Sequence, residues 1–330
     1  MRRGGRIGAA LLAVAAGQLL ATAAAWAQEP GASGDFAGRV TIPGGRQMYL
    51  ECHGAGSPTV IFESGLRGRG DVWLYSADGP SQSGPFLKVA SVTRACFYDR
   101  PGTVESRSDP VPMPRATGDA VTDLHGLLAA AGVPPPYVFA GASTGGLIAR
   151  QFTARYPLEV EGLVLIDAIS EAVQKLMKPA QFALYNQAYL QSVDSEELEK
   201  YPGLEMIDFY RSFAEMRLQP SPPRQIPMLV LSSAHGFAPQ GGVLPRFAHL
   251  VNRVWKLGQR YLTTLEPGVK RLIARGSGHQ IGLKEPGLVA REVVRVVKAV
   301  RAGRHRLVRK PRGRRHRLRH QPAATSDRPQ

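Results

Sequence analysis

The body of this chain has little excess charge of either sign. The 330 residues carry a formal net charge of +16, of which Arg2, Arg3 and Arg6 supply +3 and residues 301–330 supply +10. Residues 28–300 therefore carry only +3. A nearly neutral body lacks the electrostatic footprint of a nucleic-acid-binding protein, so no nucleic-acid partner is expected for it.

Cysteines and long apolar runs are also scarce. The chain has two cysteines, Cys52 and Cys96. An even number permits a disulfide if the protein is secreted, whereas two buried thiols are the alternative. After residue 27 no segment is apolar enough to cross a bilayer, which excludes a second membrane span.

The first 27 residues have the pattern of a secretory signal peptide. Three arginines precede an apolar run from Ile7 to Ala25, and Ala25-Trp26-Ala27 forms a small-residue cleavage site before Gln28. Cleavage after Ala27 predicts a secreted or periplasmic protein. An uncleaved N-terminal membrane anchor is the alternative, because the run is marginally long enough to span.

The rest of the chain is predicted to alternate strands and helices. Residues 28–38 are predicted as a flexible start, and a hairpin follows around Pro43-Gly44-Gly45. Apolar runs predict strands at 59–63, 91–98, 137–140, 162–166, 227–231 and 270–274, with helices between them. This order predicts a parallel sheet with helices on both faces over residues 39–169 and 225–300. Residues 170–224 interrupt the alternation with helical patterns and predict an inserted cap.

The C-terminal segment, residues 301–330, holds eleven Lys and Arg residues and one Asp. Its composition predicts a disordered tail. One interpretation of this segment is that it contacts an anionic envelope surface. The plainer interpretation is a dispensable solvated extension.

A glycine-flanked serine follows the apolar run 137–140. Gly141-Ala142-Ser143-Thr144-Gly145 lies between a predicted strand and a predicted helix. This strand–turn–helix context is that of a nucleophile elbow, in which a strained turn exposes the serine hydroxyl. Ser143 is therefore the predicted nucleophile, and the N–H of Thr144 is a predicted oxyanion donor.

A serine nucleophile needs a base, and His279 is the candidate. It lies in the loop Gly276-Ser277-Gly278-His279, after the last predicted strand. The carboxyl ends of parallel strands share one edge, so this loop and Ser143 are expected to meet. Leu66 follows another strand at that edge, and its N–H is the second predicted oxyanion donor.

These landmarks together resemble the α/β-hydrolase superfamily. The matching stretches are Thr-Val-Ile-Phe-Glu-Ser-Gly-Leu, Cys-Phe-Tyr-Asp-Arg-Pro-Gly, Gly-Ala-Ser-Thr-Gly-Gly, Leu-Val-Leu-Ile-Asp-Ala and Gly-Ser-Gly-His, in that order over residues 39–300. The resemblance implies an eight-stranded, mostly parallel sheet with a helical cap inserted after strand six. It also implies that strands two and four are neighbours, which makes a Cys52–Cys96 disulfide geometrically possible.

The chain departs from the family pattern at the triad acid. That acid usually follows strand seven, but no Asp or Glu occurs between Glu215 and Glu266. Some members carry the acid at the end of strand six, where this chain has Asp167. Asp167 is therefore the candidate acid and Glu171 a weaker substitute. The alternative is a Ser–His dyad with Asp167 in a structural role.

The predicted function is a secreted or periplasmic serine hydrolase that cleaves a carboxylic ester of a small, partly apolar molecule through an acyl-enzyme. Nothing in the sequence implies a metal or an organic cofactor. One alternative is an amidase or peptidase with the same catalytic residues. Another is a catalytically inactive domain of this fold that binds a ligand or partner. No pattern in the chain specifies an oligomeric state.

Overall fold

A computed structural model describes residues 34–79, 83–191, 195–236 and 244–307. Eight strands in these ranges form one sheet in the order β1-β2-β4-β3-β5-β6-β7-β8. β1 and β2 are antiparallel, as are β2 and β4, and every later pair is parallel. This confirms the eight-stranded, mostly parallel sheet. The strands are β1 (Phe36–Thr41), β2 (Gln47–His53), β3 (Thr59–Glu63), β4 (Ala95–Tyr98), β5 (Tyr137–Ala142), β6 (Val160–Ile166), β7 (Met228–Ser233) and β8 (Lys270–Ala274).

Ten helices are described along the same chain. They are α1 (Pro85–Ala90), α2 (Thr117–Ala130), α3 (Thr144–Arg155), α4 (Ala172–Lys175), α5 (Pro179–Tyr185), α6 (Ser195–Lys200), α7 (Phe209–Leu218), α8 (Pro245–Leu262), α9 (Ile281–Lys284) and α10 (Pro286–Arg301). A 3₁₀ turn occupies Gly70–Leu74, and a π-helical turn occupies Asn186–Leu190.

The sheet is covered on both faces because its central strands are apolar at successive positions. Ile61 of β3 packs in a cluster with Leu124 of α2 and Phe152 of α3. Its neighbour Val60 packs in a separate cluster with Val293 of α10. Successive side chains of a strand point to opposite faces, so the two clusters are the two layers of the core. Continuous apolar runs are the expected signature of strands buried in this way.

Residues 170–224, predicted as the cap, contain α4 to α7 and the π-helical turn. Their apolar side chains form a third cluster, in which Phe182 and Phe213 pack with Trp255 of α8. Ile169, just beyond the end of β6, belongs to the same cluster. The segment therefore packs at the edge of the sheet where β6 ends.

Two predicted boundaries were wrong. The strand expected from Ser91 begins at Ala95, because residues 85–90 form α1 and Ser91 is its C-cap, with its N–H donating to the Leu87 carbonyl. The flexible start expected over residues 28–38 overlaps β1, where Phe36 pairs with Cys52 of β2. A six-residue helix and a partly polar edge strand both carry too little periodicity to be placed from sequence.

The ends of the chain lie largely outside the described residues. The signal peptide predicted over 1–27 and residues 308–330 of the basic tail fall there. Arg301 is the last residue of α10, and Leu307 packs against the apolar cluster to which α10 contributes. These two residues, predicted to lie in the disordered tail, are therefore ordered. None of the helices in the described ranges combines the length and apolarity that a bilayer span requires.

Cys52 and Cys96 are joined by a disulfide. They lie directly opposite each other in the antiparallel pairing of β2 with β4. Both side chains are fully buried. Neighbouring strands, rather than sequence proximity, therefore bring together two residues that are 44 positions apart.

Candidate active site

Ser143 occupies a sharp turn between β5 and α3. Its backbone has φ 52° and ψ −120°, a region that a side-chain-bearing residue rarely adopts. The Ser143 N–H donates to the Ile166 carbonyl, and its own carbonyl accepts from the N–H groups of Gly146 and Ile169. The turn is thus held from both sides. Strain maintained in this way is typical of functional positions.

The two glycines of the motif are needed because the strand and the helix pass very close to each other. A Cβ on Gly141 would lie 2.6 Å from the Gly145 carbonyl oxygen. A Cβ on Gly145 would lie 2.4 Å from the Glu63 carbonyl oxygen. Both atoms belong to the backbone, so no side-chain movement could relieve the contact. The Gly-x-Ser-x-Gly pattern is therefore a packing requirement of this turn.

His279 and Asp167 are hydrogen-bonded to each other. The His279 Nδ1 lies 2.8 Å from Asp167 Oδ2. Asp167 follows β6 directly, is fully buried and has φ 42°. His279 follows β8 and is partly exposed. The two strand ends therefore supply an imidazole and a carboxylate oriented on it, which is the arrangement by which a triad acid holds the tautomer of its base.

Two further residues bind the Asp167 carboxylate, and the sequence interpretation missed both. Ser233 at the end of β7 donates its N–H to Oδ1 and its hydroxyl to Oδ2, each at 3.0 Å. The Trp255 indole N–H, from α8, donates to Oδ2 at 3.0 Å. Hydrogen bonds of this kind stabilise an ionised carboxylate. The end of strand seven, next to the loop where the acid was expected, thus supplies donors to an acid that follows strand six.

The other candidate acid lies in a different environment. Glu171 accepts two hydrogen bonds from Arg150, at 2.7 and 3.1 Å, and one from the Tyr261 hydroxyl at 2.5 Å. Arg150 and Glu171 are both buried, which is expected only of paired charges. Glu171 therefore has a structural partner set, and the structure does not bring it to His279.

Residues 64–68, called the oxyanion loop here because Leu66 is a predicted oxyanion donor, lie against the serine. A Cβ on Gly65 would lie 3.3 Å from Ser143 Cβ. Arg100 donates to the Gly65 carbonyl at 2.6 Å. The Gly65 carbonyl and the Leu66 N–H belong to one planar trans peptide, so this N–H points away from Arg100. Leu66 and Thr144 line the same cavity as Ser143 and His279.

Arg100 is the centre of a buried ionic cluster. It bonds Glu63 at 2.5 Å and Glu205, from the cap segment, at 2.6 and 2.9 Å. Glu205 also accepts the N–H of Arg67. Asp99, the neighbour of Arg100 in sequence, has a structural role, because it accepts the N–H of Gly70. Arg100 ties the oxyanion loop to the cap segment through Gly65 and Glu205.

The cluster makes folding stability depend on pH. Two carboxylates share one guanidinium, and burial raises the pKa of Glu63 from 4.5 to about 7. The native state therefore binds more protons than the unfolded chain between these pH values, so we expect stability to fall as pH rises through them. Glu63→Gln should lose this contribution. The free energy of unfolding in urea, measured for both proteins between pH 4.5 and about 7, tests this prediction. The same dependence of stability on pH in the wild type and in Glu63→Gln would contradict it.

The cavity beside Ser143 has a volume of about 350 Å³. Its walls are mostly apolar, and Val72, Ile166, Ile169, Leu190 and Ile281 contribute to them. The cap supplies Tyr185, Tyr189 and Leu190, and the loop after β8 supplies residues 279–283. Predominantly apolar walls with a few polar groups are typical of small-molecule sites. Within the described ranges no group of three or more His, Cys, Asp or Glu residues could hold a metal ion.

Comparison with known proteins identifies the family. A model of the alpha/beta hydrolase fold family matches residues 58–251, more than half of the chain. The chain belongs to the α/β-hydrolase fold family. A protein from Gibberella zeae named as an AB hydrolase superfamily protein is 26% identical over 257 residues, with 63% of this chain and 79% of that protein covered.

Two other similarities are partial or distant. A pimeloyl-[acyl-carrier protein] methyl ester esterase from Chromobacterium violaceum is 36% identical over 132 residues, covering 38% of this α/β hydrolase and 49% of the esterase. Several other curated relatives are also matched over only 16–55% of their length. The carboxylesterase CesB from Bacillus subtilis has a TM-score of 0.51 at 17% identity, with 80% of this chain and 92% of that chain covered, and shares the fold.

Proposed function

We propose that this α/β hydrolase is a serine hydrolase that cleaves a carboxylic ester of a small, partly apolar molecule. The observation that carries the proposal is one cavity lined by Ser143, His279, Leu66 and Thr144, with Asp167 bonded to the far nitrogen of His279. The partial similarity to a methyl ester esterase supports ester cleavage. The apolar walls favour an apolar acyl or alcohol group.

The proposed reaction has two halves. Ser143 Oγ attacks the ester carbonyl carbon while His279 Nε2 takes the hydroxyl proton. The N–H groups of Leu66 and Thr144 donate to the oxyanion, and collapse of the tetrahedral intermediate expels the alcohol, which receives the proton from His279. Water then attacks the acyl-enzyme with His279 again as base, and the carboxylic acid and free Ser143 are released.

The Asp167 hydrogen bond favours this enzyme over the alternative of an inactive binding domain. That alternative depended on the missing acid after strand seven, and the Asp167 carboxylate bonded to His279 is a candidate for that acid. Amide cleavage by the same residues remains the second candidate, because the catalytic groups for the two reactions are the same.

A fluorophosphonate probe and a substrate panel test the proposal. We expect the wild-type protein to be labelled covalently and to hydrolyse short- and medium-chain para-nitrophenyl esters faster than the matching anilides. Faster anilide cleavage would favour the amidase. A well-folded protein that neither reacts with the probe nor hydrolyses any ester would exclude the proposed activity.

We further propose that the protein is exported to an oxidising compartment. The positively charged, apolar and small-residue pattern of residues 1–27 and the Cys52–Cys96 disulfide support this. Intact mass spectrometry of protein purified without reductant should show a chain that begins at Gln28 and lacks two thiol hydrogens. A membrane-bound chain that retains residues 1–27 would instead support the N-terminal anchor.

A further inference from the structure

The cavity beside Ser143 contains a buried hydroxyl that the catalytic proposal does not use. Tyr185 ends α5, is fully buried and lines the cavity together with Ser143 and His279. Its hydroxyl oxygen has no hydrogen-bond partner among the described residues. Buried polar groups in native proteins are nearly always paired, so an exception of this kind requires an explanation.

A second donor on the cavity wall is also buried and without a hydrogen-bond partner among the described residues. Trp73, from the 3₁₀ turn that follows the oxyanion loop, is 3% exposed, and its indole N–H has no partner in the described part of the chain. An indole N–H can only donate. Burial raises the pKa of Tyr185 well above that of a free phenol, so its hydroxyl keeps its proton at neutral pH and can donate as well. A ligand that accepts a hydrogen bond from both groups must carry acceptor atoms, such as carbonyl or ether oxygens.

The backbone beside Tyr185 is also unusual. The π-helical turn Asn186–Leu190 begins directly after it and brings Tyr189 and Leu190 to the same cavity. Single π-helical turns are rare and occur frequently at functional sites. The Tyr185 and Tyr189 rings lie 5.5 Å apart. A phenylalanine at position 185 would fill the same space without burying a hydroxyl that needs a partner.

We propose that the Tyr185 hydroxyl determines substrate specificity by donating a hydrogen bond to a substrate oxygen other than the scissile carbonyl. The preferred substrates are then esters whose apolar portion under the cap carries an additional acceptor, such as a ketone, ether or amide oxygen. This inference rests on the proposed function, because it assigns the substrate class of the same cavity. A site built to bond such an oxygen discriminates against an analogue that lacks it.

Matched esters test the proposal. The substrates are the para-nitrophenyl ester of heptanoic acid and the corresponding esters with a ketone at the β, γ or δ carbon. Tyr185→Phe should lower the ratio of kcat/KM for at least one keto ester to kcat/KM for the plain ester by about tenfold relative to the wild type. Comparing the keto-to-plain ratio between the wild type and the variant cancels the intrinsic reactivity of the keto esters.

The control variant is Tyr210→Phe, which removes a hydroxyl from a half-exposed cap tyrosine outside the cavity wall. It should leave the keto-to-plain ratio at its wild-type value. Tyr185→Phe should not lower the melting temperature, since no hydrogen bond is lost. Equal loss of activity on plain and keto esters, or no change on any keto ester, would overturn the proposal.

Binding to a protein that lacks the nucleophile separates this inference from the proposed function. The affinities of Ser143→Ala and of Ser143→Ala/Tyr185→Phe for the same esters are measured by calorimetry. A keto preference that disappears in the double variant supports the role of Tyr185 even if the wild type hydrolyses nothing. If the wild type hydrolyses esters but neither of the two Ser143→Ala proteins binds the keto esters more tightly than the plain ester, the Tyr185 assignment is refuted and the proposed function is not.

Discussion

Replacing Ser143 by alanine is expected to lower kcat on any accepted ester by about 10⁵- to 10⁶-fold. The hydroxyl is the only atom group removed, and without it no acyl-enzyme can form. The loss should not be total, because the oxyanion donors and substrate binding retain part of the catalysis. The measurement is kcat for wild type and variant on the best ester of the panel, together with fluorophosphonate labelling, which should disappear.

The fold of this variant should be preserved. Alanine carries the same Cβ as serine, so the strained turn at φ 52° is neither relieved nor worsened, and the three backbone hydrogen bonds at residue 143 remain. Ser91→Ala is the matched control, since its hydroxyl bonds to the Lys88 carbonyl at the exposed C-cap of α1. Labelling that persists in Ser143→Ala would place the reactive group elsewhere and contradict the proposal.

The parts of the site that sequence could predict are those whose signal is local. Ser143 is identified by its flanking glycines, and those glycines are needed because backbone atoms of neighbouring segments lie within 3 Å of the missing Cβ positions. His279 is identified by a glycine-rich loop after the last strand. In both cases the residue and its neighbours in sequence carry the information.

The parts that sequence could not predict depend on contacts between distant segments. Ser233 and Trp255 bond Asp167 across separations of 66 and 88 residues. Glu205 reaches Arg100 across 105 residues. No periodicity or spacing marks these pairs, because the sheet order and the packing of α8 and the cap create them. The Cys52–Cys96 pairing became predictable only once the family's strand order was assumed.

Asp167 is marked in the sequence by its position at a strand end, but its hydrogen bonds come from distant segments. Its replacement is expected to give the second large effect. Asp167→Asn is expected to lower kcat by about 10⁴-fold with little change in substrate binding. The carboxylate now accepts from Ser233, Trp255 and His279, all of which donate. An amide supplies one acceptor oxygen and one NH₂ group, so one of these donors must face another donor. If that donor is His279, the imidazole adopts the wrong tautomer and cannot take the Ser143 proton.

The Ser–His dyad makes the opposite prediction. If Asp167 were only structural, Asp167→Asn would lower stability while kcat per folded molecule changed little. Measuring kcat, KM and the urea midpoint together distinguishes the two cases. Glu171→Gln is the companion variant, because it neutralises a nearby buried carboxylate that is bonded to Arg150 rather than to His279. It should destabilise the fold and leave kcat within a few-fold of wild type, since it does not change the charge or the tautomer at His279. A large loss of kcat in Glu171→Gln with none in Asp167→Asn would reverse the assignment.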